Sequence, residues 1–141
     1  MWVDYVMVAI SWDESYTVHV ESIDTQHKNM MRLINDLHRI SNEGGGDDQV
    51  EQALSSLLQY TKEHFKYEES FFEKYRYPFI KKHRQEHITF LSTIDQIKTE
   101  LLNGQENDKK KSISIMVSWL KNHIISEDKQ YVCFMLEHGV K

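Results

Sequence analysis

The only proline in the sequence, Pro78, stands between two pairs of metal-type donors, His64 and Glu68 before it and His83 and His87 after it. Residues four apart on a helix lie one turn above each other on the same face. Proline breaks a helix, so each pair belongs to its own helix, and the two helices meet at a short turn around Tyr77-Pro78. One proline in 141 residues also leaves the rest of the chain free to form long helices. The feature demands a helical fold that presents imidazoles and a carboxylate on facing helices.

Apolar residues recur at three- and four-residue steps in four stretches. The first predicted helix covers about residues 22–42, capped by Ser22 or Asp24, with Ile23, His27, Met31, Ile34 and Leu37 on one face. Gly44-Gly45-Gly46 stops it. The second covers about 47–76, capped by Asp47 or Asp48, with Val50, Leu54, Leu57, Thr61, His64, Glu68, Phe71 and Tyr75 inward. The third covers about 79–102, with Ile80, His83, His87, Phe90, Leu91, Ile94, Ile97 and Leu101 inward, and Asn103-Gly104 ends it. The fourth starts after Asn107 or Asp108 and covers about 108–137, with Met116, Trp119, Leu120, His123, Ile124, Tyr131 and Met135 inward. Residues 1–21 show no helical period. They read as an irregular arm in which Trp2, Tyr5, Trp12, Tyr16 and Val18 lie over the outside. The expected fold is all-α: one domain over 1–141, an antiparallel up-down-up-down four-helix bundle with an irregular N-terminal arm.

Charge and cysteine usage narrow the function. A net charge of −5 and a pI near 5.9 argue against nucleic acid and against an anionic membrane surface as partners. No stretch has the apolar length needed to span a bilayer, and the N-terminus lacks the basic segment and apolar run of a signal peptide. The single cysteine, Cys133, forms no intrachain disulfide and fits a reducing compartment, so the expected location is cytoplasmic.

Five of the eight histidines fall on the inward stripes: His27, His64, His83, His87 and His123. In an up-down-up-down bundle they converge on one end with Glu68 and Asp128, at overlapping depth, and independent core histidines have no reason to do so. Five imidazoles and two carboxylates are too many groups for one ordinary ion. Two octahedral metals offer about twelve positions, and five histidines, two bridging carboxylates and one bridging oxo or hydroxo group leave one open. A nitrogen and oxygen donor set without thiolate suits iron better than structural zinc. His123 and Asp128 are five apart, which rotates them by about 140° on a regular helix. Either a π-type widening brings Asp128 into line or Asp128 reaches around to the metals; Glu127, four from His123, has the better angular position, and spacing alone leaves the choice between the two carboxylates open.

Competing readings are weaker. With Glu86, His83 and His87 spell the inverted zinc-peptidase signature HxxEH, which needs a further acidic ligand and a substrate cleft. Ferritin-like di-iron oxidases need two Glu-x-x-His pairs, and the sequence contains none. His19, His38 and His138 lie off the pattern, and Tyr131 reads equally as core or as a neighbour of the donors.

The chain resembles the hemerythrins, specifically the single-domain bacterial form, bacteriohemerythrin. The resemblance rests on Ile23-Asp24-Thr25-Gln26-His27, His64-Phe65-x-x-Glu68-Glu69, Tyr77-Pro78-x4-His83-x3-His87 and Trp119-Leu120-x2-His123-Ile124-x3-Asp128. Ser22 stands where that family often has glycine. The resemblance implies a non-haem, oxo- or hydroxo-bridged pair of iron ions that binds O2 reversibly. It implies His83, His87 and His123 on one iron, His27 and His64 on the other, and Glu68 and Asp128 between them, which favours Asp128 over Glu127. Trp119 and Leu120 match pocket-lining positions. The implied role is carriage, storage or delivery of O2, with an oxygen-consuming enzyme as recipient, and not catalysis. The absence of an output domain favours this over O2 or redox sensing through a partner, and over reduction of peroxide or nitric oxide.

Overall fold

The structure is a computed structural model that describes residues 9–102 and 109–139. Among these residues all regular structure is helical: α1 (Glu21–Asn42), α2 (Asp47–Tyr75), α3 (Ile80–Leu102), α4 (Lys109–Asn122), a π-helical segment (His123–Asp128) and α5 (Gln130–Glu137). Asn122 and Lys129 keep right-handed helical backbone, so α4, the π segment and α5 form one continuous rod. Helix α1 packs on α2, α2 on α3, α3 on α4, and α4 closes back on α1. The result is a four-rod bundle.

The ends of the rods are set by local chemistry. Gly44 takes φ +73°, and a Cβ on Gly45 would meet the Ile40 side chain at 2.6 Å, so the turn after α1 needs glycine at both positions. At the end of α2, Arg76 adopts the left-handed region (φ 57°), and the Tyr77 N–H returns to the Phe72 carbonyl at 2.8 Å. Two expected caps are corrected. Helix α1 begins one residue early, after extended Val20, and has no side-chain cap. Ser22 and Asp24 therefore lie inside its first turn, where the Asp24 carboxylate accepts from the Val18 N–H (2.9 Å) and the Thr17 hydroxyl and fastens the arm. Helix α2 is capped by Gly46, with Asp47 and Asp48 in the first turn, where negative charge favours the helix N-terminus.

The arm is irregular apart from a short 3-10 turn, Glu14–Tyr16. Tyr16 and Val18 are buried and Trp12 is half-buried, whereas Trp2 and Tyr5 lie outside the described residues. The Asn35 side chain holds the arm at Ile10, accepting from its N–H (3.0 Å) and donating to its carbonyl (2.7 Å). Asn103, Gly104, Asn107 and Asp108 lie outside the described residues, as does the side chain of Leu101. No helix among the described residues is long and apolar enough to cross a membrane.

The inward stripes match with small shifts. In α2, Phe72 is fully buried while Phe71 and Tyr75 are only half-buried. A stripe running 61, 64/65, 68, 72 keeps the helical period over a long rod, and a three-residue step from 68 drifts off the face. Phe65, outside the expected stripe, is also buried. In α3, Ile80 and Leu91 are half-buried, as is Trp119 in α4.

Two apolar clusters result. One contains Met30, Met31, Phe65, Phe90, Leu120 and Ile124; the other contains Val18, Val20, Ile23, Phe72, Tyr77, Tyr131 and Met135. On three rods the donor residues fall between members of the two clusters, and on α3 they fall between Ile80, packed against the second cluster, and Phe90 of the first. The polar layer is sealed on both sides.

Candidate metal centre

His27, His64, Glu68, His83, His87, His123 and Asp128 are all buried, none more than 3% exposed. Ligand atoms of Glu68, His83, His87 and His123 lie within 4.8 Å of one another, and so do those of His27, His64 and Glu68. Glu68 belongs to both groups. Asp128 divides its oxygens between them: Oδ1 is 2.9 Å from His83 Nε2 and 3.0 Å from His123 Nε2, and Oδ2 is 3.1 Å from His27 Nε2. Glu68 Oε1 is 3.3 Å from His64 Nε2 and 3.2 Å from His87 Nε2.

The Nε2 atoms of His27, His83, His87 and His123, with Glu68 Oε1 and both oxygens of Asp128, have no properly directed hydrogen bond. A buried polar atom without a partner costs about 1–3 kcal/mol, more for a charged group. Seven such atoms aimed at one another could hold a metal ion. Nitrogen and oxygen donors alone, with exposed Cys133 apart from them, fit iron.

The electrostatics agree. Burial disfavours an imidazolium at His123, but the carboxylates of Asp128, Glu68 and Glu86 outweigh it and push the ring up to about 9. Burial likewise opposes charge on His87, which Glu68 and Glu69 nevertheless raise. At His64 burial prevails and lowers it. Burial also works against ionised Glu68 and Asp128, yet the surrounding imidazoles hold both well below the usual carboxylate range. The pocket is built for positive charge.

The π segment answers the five-residue spacing. Lys129 N–H bonds to the Ile124 carbonyl at 3.2 Å, an i to i−5 bond that absorbs one extra residue. Five residues then advance the rod by four α-steps, bringing Asp128 to within about 40° of His123. Glu127, half-buried, pairs instead with Lys82 at 3.2 Å. Trp119 stacks on His123 (centroids 4.5 Å, 15°) and on Phe90 (4.1 Å, 7°), and Leu120 is buried in the apolar cluster beneath the donors. His19 and His138 are exposed and His38 is half-buried.

A model of the hemerythrin HHE cation-binding domain matches residues 18–134. The chain belongs to the hemerythrin family. It is 28% identical over 127 residues to bacteriohemerythrin of Pseudomonas aeruginosa (strain LESB58), covering 89% of this chain and 81% of that protein. It is 28% identical over 120 residues to myohemerythrin of Theromyzon tessulatum, covering 85% of this chain and 88% of that protein. A solved structure of wild-type hemerythrin superposes with a TM-score of 0.81 at 25% identity, covering 89% of this chain and 96% of that one.

Within this hemerythrin fold, a set of outer contacts escapes the stripe pattern. Gln26, beside His27, reaches His64 Nδ1 on the next helix (2.6 Å). Glu69, beside Glu68, reaches His87 Nδ1 (3.0 Å), and Glu86, beside His87, reaches His123 Nδ1 (3.0 Å). Each is the chain neighbour of one donor and orients a donor on the following rod. Such contacts fix the ring and its tautomer. The only sequence signal for them is a polar residue on the flank of the stripe next to each donor. Arg84 holds Glu69 in turn (2.9 Å), and the Tyr131 hydroxyl donates to Glu68 Oε2 at 2.6 Å.

Proposed function

We propose that the chain binds O2 reversibly at a pair of iron ions in this buried layer and serves in oxygen carriage, storage or delivery to an oxygen-consuming enzyme rather than in catalysis. His83, His87 and His123 would hold one iron and His27 and His64 the other, with Glu68 and Asp128 contributing to both. When bound, a ferrous pair would supply the two electrons that reversible O2 binding requires. The supporting observation is the division of contacts at Asp128, whose two oxygens face different histidine groups (2.9–3.1 Å) inside a layer whose donors are at most 3% exposed.

The chain's own residues do the rest. Gln26, Glu69 and Glu86 hold three imidazoles with Nε2 facing inward. Leu120, beneath the donors, and Trp119, stacked on His123, exclude water from the layer and slow irreversible oxidation. The test is metal analysis with gas uptake. Anaerobically loaded protein is expected to hold two irons per chain, to take up one O2 per pair, and to release it on purging with inert gas. Stoichiometric zinc with peptidase activity, or O2 consumed without release, would overturn the reading.

A further inference from the structure

Glu68 and Asp128 are both fully buried, but their surroundings differ. Asp128 turns both oxygens to imidazoles and accepts no hydrogen bond at either. Glu68 turns only Oε1 inward, 3.2 Å from His87 Nε2, 3.3 Å from His64 Nε2 and 3.9 Å from His83 Nε2. Its Oε2 accepts from the Tyr131 hydroxyl at 2.6 Å, across 63 residues of chain. Tyr131 is itself fully buried, and its ring is set by Phe72 (centroids 5.1 Å) and His83 (5.7 Å). The extra residue in the π segment serves this contact too. Counted in α-steps Tyr131 is seven beyond His123, within about 20° of the same face, whereas a regular helix would carry it about 80° away.

The other polar contacts behind the donors act in the opposite sense or are neutral. Glu69 and Glu86 accept from imidazoles and make them stronger donors, and Gln26 offers a neutral amide oxygen. Among the described residues, the Tyr131 hydroxyl donates a hydrogen bond to a donor carboxylate.

We propose that Tyr131 is a positioning residue for Glu68: its hydroxyl fixes which oxygen faces the imidazoles and draws charge from the carboxylate, favouring the ferrous state of the bound pair. This rests on the reading of the layer as a di-iron site. A carboxylate that shares its charge with a phenol donates less to a metal, and the more highly charged oxidation state loses more by this.

Tyr131→Phe keeps the ring and removes only the hydroxyl. The experiment compares iron content, circular-dichroism melting and the reduction potential of the iron pair by spectroelectrochemistry in wild type and Tyr131→Phe. A third protein carries 3-fluorotyrosine at position 131, a more acidic phenol in the same place. Tyr131→Phe is expected to shift the ferric-to-ferrous ratio about tenfold toward ferric, about 59 mV more negative for one electron, and to autoxidise faster. The fluorinated ring is expected to move the potential the other way. A ring that only fills space gives no such opposed pair. If wild type holds two irons and all three proteins share one potential, the role of Tyr131 is wrong and the di-iron reading stands. If wild type holds fewer than two irons, both fall.

Discussion

Asp128 and Glu127 are chain neighbours with opposite surroundings, and exchanging each carboxylate for its amide tests the π segment directly. Asp128 is fully buried and faces three imidazoles; Glu127, whose side chain is 12% exposed, pairs with Lys82, which is 58% exposed. In protein prepared without metal, the first consequence is in pH dependence. His123 rises from an ordinary 6.5 to about 9 when folded, with Asp128 the leading attractive charge. A raised imidazole contributes stability fully below the unfolded value and loses it as pH climbs through the folded one, so the window is about 6.5 to 9. Two and a half units correspond to about 3 kcal/mol. The carboxylates themselves titrate far below this window and leave it clear. Urea unfolding of wild type at pH 6 and pH 9.5 should therefore show a fall of about 3 kcal/mol from this group. Asp128→Asn should remove most of that fall, leaving what His87 contributes, and should destabilise the protein at pH 6 by about 3–5 kcal/mol as a broken buried pair. Glu127→Gln should keep the wild-type slope and cost about 1 kcal/mol or less. Equal effects from the two substitutions, or an unchanged slope in Asp128→Asn, would refute the placement of Asp128.

Other expectations follow from the same geometry. Leu120→Ala should cost about 2–5 kcal/mol as a buried cavity and speed autoxidation; an unchanged rate removes Leu120 from the pocket wall. Glu86→Ala takes the acceptor from His123 Nδ1, and metal titration should show affinity about 10–100-fold weaker, against no change if the contact is idle. Because His123 stands near 9 and His87 is also raised, metal uptake at pH 7 must displace protons. An indicator dye in weak buffer should register their release, and loading should weaken on acidification; uptake without proton release contradicts the pKa reading.

The bundle is legible in the sequence because burial writes a 3.6-residue period, and Pro78 and the Gly44–Gly46 run cut that period into rods. Convergence of the histidines is legible for the same reason: depth follows from residue count once the rods alternate. The caps are less so. Asp24 is a good N-cap by type, but the arm competes for its carboxylate, and that contact comes from chain outside the helix. Phe72 replaces Phe71 because the period is not an integer, and a three-residue step taken at the wrong place rotates off the face. The spacing of His123 and Asp128 announces an irregularity without saying which carboxylate benefits; the i−5 bond at Lys129 decides that, and it belongs to the backbone. Gln26, Glu69 and Glu86 look like ordinary surface residues until the neighbouring rod is in place.

The most direct test of the central claim is the optical spectrum of the anaerobically reduced, iron-loaded protein before and after air. The expected result is a colourless reduced form, a charge-transfer band that appears with O2, and its loss when O2 is purged, over repeated cycles. A band that never appears, or one that appears once and survives purging, would contradict reversible O2 binding at this layer.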